Sequence, residues 1–200
     1  MILFFDTETT GLPNGKLSPS DPKQPAILQL AAILSTDDGE IMRSMSTLVQ
    51  PGSKPIHPMA LAAHGITSLT ANTEGITQLD AFTQFSSLVD EAESMAAHNY
   101  DFDFNLIKIM AHTIHSETGD DDILLNFDDM HELPFYCTMK RTIDICRLPF
   151  PSGRKGWKYP KLQELYWFLF QEELTGSHDA LTDVKATHRC FFELKQRGIF

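Results

Sequence analysis

The chain has 200 residues, 42% of them hydrophobic and 22% charged, and a formal net charge of −11. That length suits one compact domain with a real core, and no apolar run approaches the ~20 residues that a membrane span needs. The acidic balance excludes a nucleic-acid binder that relies on lysine and arginine to neutralise phosphate, which leaves either no nucleic acid at all or divalent cations standing where phosphate sits.

Residues 1–6 form an apolar run ending in an acid, predicted as a strand that starts at once. The run has neither the basic region nor the cleavage pattern of a signal peptide. Residues 13–25, rich in Pro, Ser, Asp and Lys, are expected to be a loop. Residues 26–35 and 40–50 are predicted strands joined through the turn signal Asp38-Gly39, giving a hairpin-rich sheet with the first strand central. Residues 51–58 are expected to be loop. Residues 76–91 carry Leu79, Phe82, Phe85 and Val89 near helical spacing. A short strand is expected over 94–98, then a helix over 103–115 with Phe104, Ile107 and Ala111 along one side. Residues 117–134 are acidic and expected to be irregular, an insertion placed at about 116–134 within a single domain spanning 1–200. A short strand is predicted at 136–139, a loop at 147–160, and helices at 161–171 and 179–196. In the last helix Ala180, Val184, Thr187, Phe191 and Leu194 share one face. Strands first, then strands alternating with helices, predict an α/β mixed sheet covered by helices. The cysteines Cys137, Cys146 and Cys190 are odd in number and unpaired in spacing, as expected of reduced thiols in a cytoplasm.

Three segments carry chemistry. In Phe5-Asp6-Thr7-Glu8-Thr9-Thr10-Gly11-Leu12, an extended backbone places Asp6 and Glu8 on one face at the end of a strand. Like charges that close are unfavourable without a cation between them, and hard oxygen ligands suit Mg²⁺ or Mn²⁺. The segment 97–103 (AHNYDFD) sits where a strand gives way to a helix, so Asp103 near the helix start could equally serve only the helix dipole. Asp101 competes with it for the same role. In 178–183 (HDALTD), Asp183 lies in the first turns of the last helix and His178 just before it. Taken singly, each segment reads better as a solvated or capping group.

Together they resemble the three motifs of the DEDDh, or DnaQ-like, exonucleases, the family that includes the proofreading epsilon subunit of bacterial DNA polymerase III. Asp6 and Glu8 match the first motif. His98-Asn99 followed by Phe102-Asp103 matches the second and selects Asp103 over Asp101. His178 with Asp183 matches the third; the sister subfamily has Tyr at the position held here by Asp179. His64-Gly65-Ile66-Thr67 and the apolar run 27–31 also match, so the resemblance covers nearly the whole chain in order, with residues 112–135 outside it. It implies a ribonuclease H-like fold, a central mixed five-stranded sheet with helices on both faces. It also implies a 3′→5′ exonuclease with two Mg²⁺ or Mn²⁺ ions per site, releasing nucleoside 5′-monophosphates from DNA 3′ ends, single-stranded or frayed. On this resemblance Asp6 touches both ions, Glu8 and Asp183 hold the ion carrying the attacking water, Asp103 supports the second ion, and His178 is the general base. Substrate contacts fall to Thr7, Thr9, Leu12, His64 and Asn99, with Leu12 wedging against a base.

Gly153 to Lys161 (GRKGWKYPK), within a basic and aromatic loop at 149–161, is the one basic stretch interleaved with aromatics, so Trp157 and Lys158 are candidates for guiding a single strand. The alternative is a loop that pins Trp157 and Tyr159 onto the core. The aspartates of 119–132 lack the glycine and terminal glutamate of a calcium loop, and His112 and His115 lack the spacing and cysteines of a zinc site. The cluster 166–170 (YWFLF) is expected to pack the core. Rival functions are an exoribonuclease of the same fold, since sugar choice rests on contacts to the 2′ position, a non-catalytic binding module, and a phosphatase for free nucleotides. Retention of every catalytic position disfavours the binding module. A polymerase partner with a role in DNA replication is compatible with the family, and nothing in the sequence sets the oligomeric state.

Overall fold

A computed structural model describes residues 1–200. Its sheet has five strands in the order β3-β2-β1-β4-β5, with β1 (Ile2–Thr9) central as expected. β2 (Ile27–Ser35) and β3 (Ile41–Leu48) run antiparallel as a hairpin, and β4 (Ser94–Ala97) and β5 (Phe135–Cys137) extend the other edge in parallel. The apolar run of β2 is buried along all nine residues, whereas β3, at the edge, is largely exposed.

Helices cover both faces, and the alternation of side chains along β1 assigns each its partner. Ile2 and Phe4 pack with Ala180, Val184 and Phe191 of α9 (Ala180–Gln196). Leu3 and Phe5 point the other way, into a larger core with α3 (Gln78–Val89) and α4 (Tyr100–Thr118). The five apolar positions expected to share a face of α9 are all buried. In α3, Phe82, Phe85 and Val89 are buried, but Leu79 is exposed, because the first turn overhangs the core.

Several expectations fail. The loop expected at 51–58 gives way at Pro58 to α1 (Pro58–His64), and α2 (Ser68–Glu74) follows in a stretch for which the sequence suggested no element. Local chemistry starts and stops both: Pro58 occupies the first turn, His57 and Thr67 supply side-chain caps, and Gly65 closes α1 at φ 71°. The acidic stretch is not irregular. α4 runs on to Thr118, and α5 (Asp122–Glu132) turns Ile123, Phe127 and Met130 into the core while Asp128 and Asp129 face outward. The strand expected at 136–139 stops at Cys137, where Thr138 begins the short α6 (Thr138–Arg141), followed by α7 (Ile143–Cys146). In α8 (Leu162–Phe170) Leu169 is buried, but Trp167 and Phe168 are exposed, so the YWFLF cluster packs only in part. Trp157 and Tyr159 are exposed as well and are not pinned to the core. The three cysteines are buried free thiols. No helix is long and apolar enough to cross a membrane.

Candidate active site

The C-terminal end of β1 is where the charged residues converge. Asp6 and Glu8 continue the face that carries Ile2 and Phe4, so they look toward the start of α9. The register of β1 against β2 slips between Glu8 and Thr9, a bulge that ends regular pairing beside these carboxylates. Asp183 sits in the first turn of α9, buried, with Oδ2 accepting the N–H of His178 at 3.0 Å. Ligand atoms of Glu8, His178 and Asp183 lie within 4.8 Å of one another.

Asp103 arrives from the opposite face of the sheet. It lies in the first turns of α4 and is buried, but it does not cap its own helix. One oxygen, Oδ1, accepts both the N–H of Thr7 at 3.0 Å and its hydroxyl at 2.7 Å. Thr7 points to the α4 face by alternation, so this pair anchors α4 to the strand between Asp6 and Glu8. Asp101, the rival for the second motif, is exposed and bonded to Lys140 instead.

The electrostatics follow from that crowding. Burial, and then the charges of Asp103, Asp183 and Glu8, hold Asp6 well above the usual carboxylate range. Glu8 is pushed up to about 8 by burial and by Asp183 and Asp103. Burial raises Asp103 to about 7 against the lowering effect of its bonds from Thr7. Burial raises Asp183 too. Its second oxygen, Oδ1, is buried with no hydrogen-bond partner, a costly state for an acceptor. Four carboxylates destabilised as anions, one with an orphaned oxygen, make a hard-donor set that fits divalent cations such as Mg²⁺ or Mn²⁺. Asp6, Glu8, Asp103 and Asp183 would hold them.

Beside the carboxylates opens a groove of about 580 Å³ lined by Thr7, Glu8, Thr9, Leu12, Met59, His64, Phe102 and His178. Leu12 is 82% exposed and Met59 77% exposed at its mouth. α1 forms one wall and is tied to the end of β1 twice: His57 N–H donates to the Thr10 carbonyl at 2.8 Å, and His64 Nε2 meets the Thr9 carbonyl at 3.1 Å. Nδ1 of His64 accepts the Ile66 N–H at 2.9 Å, which leaves Nε2 as the donor of a neutral ring. Thr9 is buried, its hydroxyl donating to the Gly11 carbonyl. His98 faces inward. Its ring joins the Thr138 hydroxyl and the Pro160 carbonyl, and burial lowers its pKa to about 4, so it is a neutral strut that ties the basic loop to the end of β4. Asn99 follows at φ 72°, turning the chain into α4. Trp157 and Lys158 do not line the groove; Lys158 is engaged by Glu164 at 2.5 Å.

Sequence reasoning missed three contributors. His57 and Met59 build the groove wall from a helix it did not foresee. Gln29 reaches from β2 to the entry of α9, its Nε2 donating to Asp179 Oδ2 at 3.0 Å. The signal available for it was a lone amide inside an otherwise apolar strand.

Comparison with known proteins bears on the family and the fold. The exonuclease family model RNase_T matches residues 3–191. No curated protein matches the sequence. Among solved structures, Escherichia coli exonuclease I in complex with a dA16 oligonucleotide superposes with a TM-score of 0.72 at 20% identity, covering 98% of this chain and 41% of that one. The same enzyme with a dT13 oligonucleotide gives 0.71, 20%, 98% and 41%. A moderately thermophilic exonuclease I from Methylocaldum szegediense gives 0.67, 19%, 98% and 40%. The chain thus spans about two fifths of the length of these proteins, and at such identity the likeness is one of fold.

Proposed function

From the premise that the chain belongs to the RNase T exonuclease family, we propose that it is a metal-dependent 3′→5′ exonuclease that releases nucleoside 5′-monophosphates from DNA 3′ ends, single-stranded or frayed. The observation that carries this reading is the meeting of Asp6, Glu8, Asp103, Asp183 and His178 at the rim of an open apolar groove. That the exonuclease I structures of the same fold hold dA16 and dT13 oligonucleotides supports single-stranded DNA as the substrate.

Divalent ions, once bound, would polarise the scissile phosphate and stabilise the leaving 3′ oxygen. The chain's own groups do the rest. An imidazole nitrogen of His178 takes the proton of the attacking water, general-base work of the kind that histidine does most often. Thr7 holds Asp103 in place, and the neutral His64 fixes the carbonyl of Thr9 at the groove's floor. Leu12 and Met59 offer apolar contact to the terminal base. Asn99, at the left-handed turn into α4, would contribute its amide to the strand from the Asp103 side. Farther out, Trp157 and Tyr159 expose faces on which upstream bases can stack; Lys158 would reach phosphate by exchanging its bond to Glu164. The −11 net charge fits this division, because the cations rather than basic side chains grip the phosphate.

Digestion of 5′-labelled single-stranded DNA with Mg²⁺ or Mn²⁺ tests the reading. A ladder shortening from the 3′ end is expected, abolished by EDTA and slowed by a 3′-phosphate. Cuts within a circular single strand, or full activity in chelator, would overturn it. A matched RNA oligomer digested faster would transfer the reading to an exoribonuclease.

A further inference from the structure

Every residue of β2 is buried, and its amide-bearing member is Gln29. It stands opposite Glu8 in the strand register, one step before the bulge, so the two side chains share the face that α9 covers. Both ends of its amide are in use. Nε2 donates to Asp179 Oδ2 at 3.0 Å, and Oε1 accepts the N–H of Ala180 at 3.1 Å. Asp179 is the N-cap of α9. Its other oxygen accepts the N–H and the hydroxyl of Thr182, both at 3.0 Å, and its carbonyl accepts the N–H of Asp183 at 3.0 Å. His178 precedes it at φ 68°, a conformation that a non-glycine residue holds only when its surroundings impose it.

We propose that Gln29 is a positioning residue: it locks the entry of α9 to the strand pair carrying Asp6 and Glu8, and so sets where His178 and Asp183 meet Glu8. The inference rests on the exonuclease reading for its catalytic consequence but not for its geometry. The site needs a donor and an acceptor on adjacent atoms, facing a carboxylate and a main-chain N–H. Among side chains of this shape, glutamine supplies both without charge. Glutamate would set one carboxylate against another beside four more. Methionine would fill the volume and make neither bond. A loop freed in this way lets the imidazole drift, and a misplacement of about 1 Å costs a reaction on the order of 100-fold.

The test is a charge-preserving exchange. Gln29→Met should lower kcat about 100-fold on 5′-labelled single-stranded DNA, leave KM within a few-fold because the α1 wall of the groove with Met59 and His64 is untouched, and weaken Mn²⁺ binding measured by titration calorimetry. Gln29→Glu and Asp179→Asn should each impair the protein. Combined, they carry the wild-type charge and rebuild the contact with reversed polarity: the new amide at 179 donates to the new carboxylate at 29, which still accepts from Ala180. The double variant should recover kcat and Mn²⁺ affinity to within a few-fold of wild type, a coupling no independent pair would show. Melting temperatures establish that each protein is folded. Wild-type kcat and Mn²⁺ affinity in Gln29→Met, or a folded double variant no better than the worse single one, would overturn the proposal. Should the wild type fail to shorten DNA while the Mn²⁺ cycle behaves as described, the exonuclease reading falls and the positioning role stands.

Discussion

His178 holds a left-handed backbone at φ 68°, which glycine adopts freely and histidine does not. On the proposed general-base role, the need for an imidazole at this place therefore opposes the backbone's own preference. Two substitutions separate the demands. His178→Ala and His178→Gly should both lose about 10²–10⁴-fold in rate, the usual cost of a missing general base. Only the glycine relieves the strain, so His178→Gly should melt higher than His178→Ala. Rates and thermal melts on the same preparations check this, and a glycine variant melting below the alanine one would refute the strain argument. Asp6 shows the same opposition in charge. Burial and four neighbouring carboxylates raise its pKa, so Asp6→Asn should abolish activity and yet raise the melting temperature in EDTA. An unchanged or lower melting temperature of the metal-free variant would count against it.

At the scale of elements, the exit of α2 shows how closely the short helices are fitted. A Cβ on Gly75 would stand 2.3 Å from the Ala71 carbonyl oxygen and 3.0 Å from the carbonyl of Leu48. The backbone cannot swing away, because Ile76 N–H bonds Leu48 and Gln50 N–H bonds Ile76, both at 2.9 Å. Gly75→Ala should destabilise by about 1–3 kcal/mol, as overpacked sites do, seen as a lower urea midpoint; a midpoint equal to wild type would show that the turn yields. These short helices were also the part of the fold least legible in the sequence. α1 buries no residue and α2 only Ala71, so neither writes an apolar stripe. α5 does write one, Ile123, Phe127 and Met130, but its aspartates masked it. The strands β1 and β2 and the long helices α3 and α9 were legible because their burial repeats over many residues. In the site, the spacing within β1 and before α9 is local and could be read. The bonds of Asp103 to Thr7 and of Gln29 to Ala180 join residues 96 and 151 positions apart, and no local pattern encodes them.

For the molecule as a whole, the carboxylate cluster opposes folding unless cations bind. Glu8 rises from 4.5 to about 8 and Asp103 from 3.8 to about 7, so between these limits the native chain holds more protons than the unfolded one. Stability from these groups is therefore present at acid pH and lost as pH rises toward 8. His98 works in the opposite sense: lowered from 6.5 to about 4, it contributes stability above 6.5 that is lost as pH falls. Metal-free protein should melt lower at about pH 8 than at about pH 6.5, and Mg²⁺ should raise the melting temperature more at the higher pH, where no proton need be displaced. A Mg²⁺-induced shift independent of pH would contradict this. The helices that bring Asp103 and Asp183 to β1 pack on opposite faces of the sheet, and α9 is the last element in chain order. A chain leaves the ribosome N-terminus first and folds as it emerges, so Asp6, Glu8 and Asp103 are displayed well before His178 and Asp183 exist. On the proposed exonuclease reading, the emerging chain therefore carries half a site, which is assembled only when α9 docks on the sheet and brings Asp183 and His178 to Glu8.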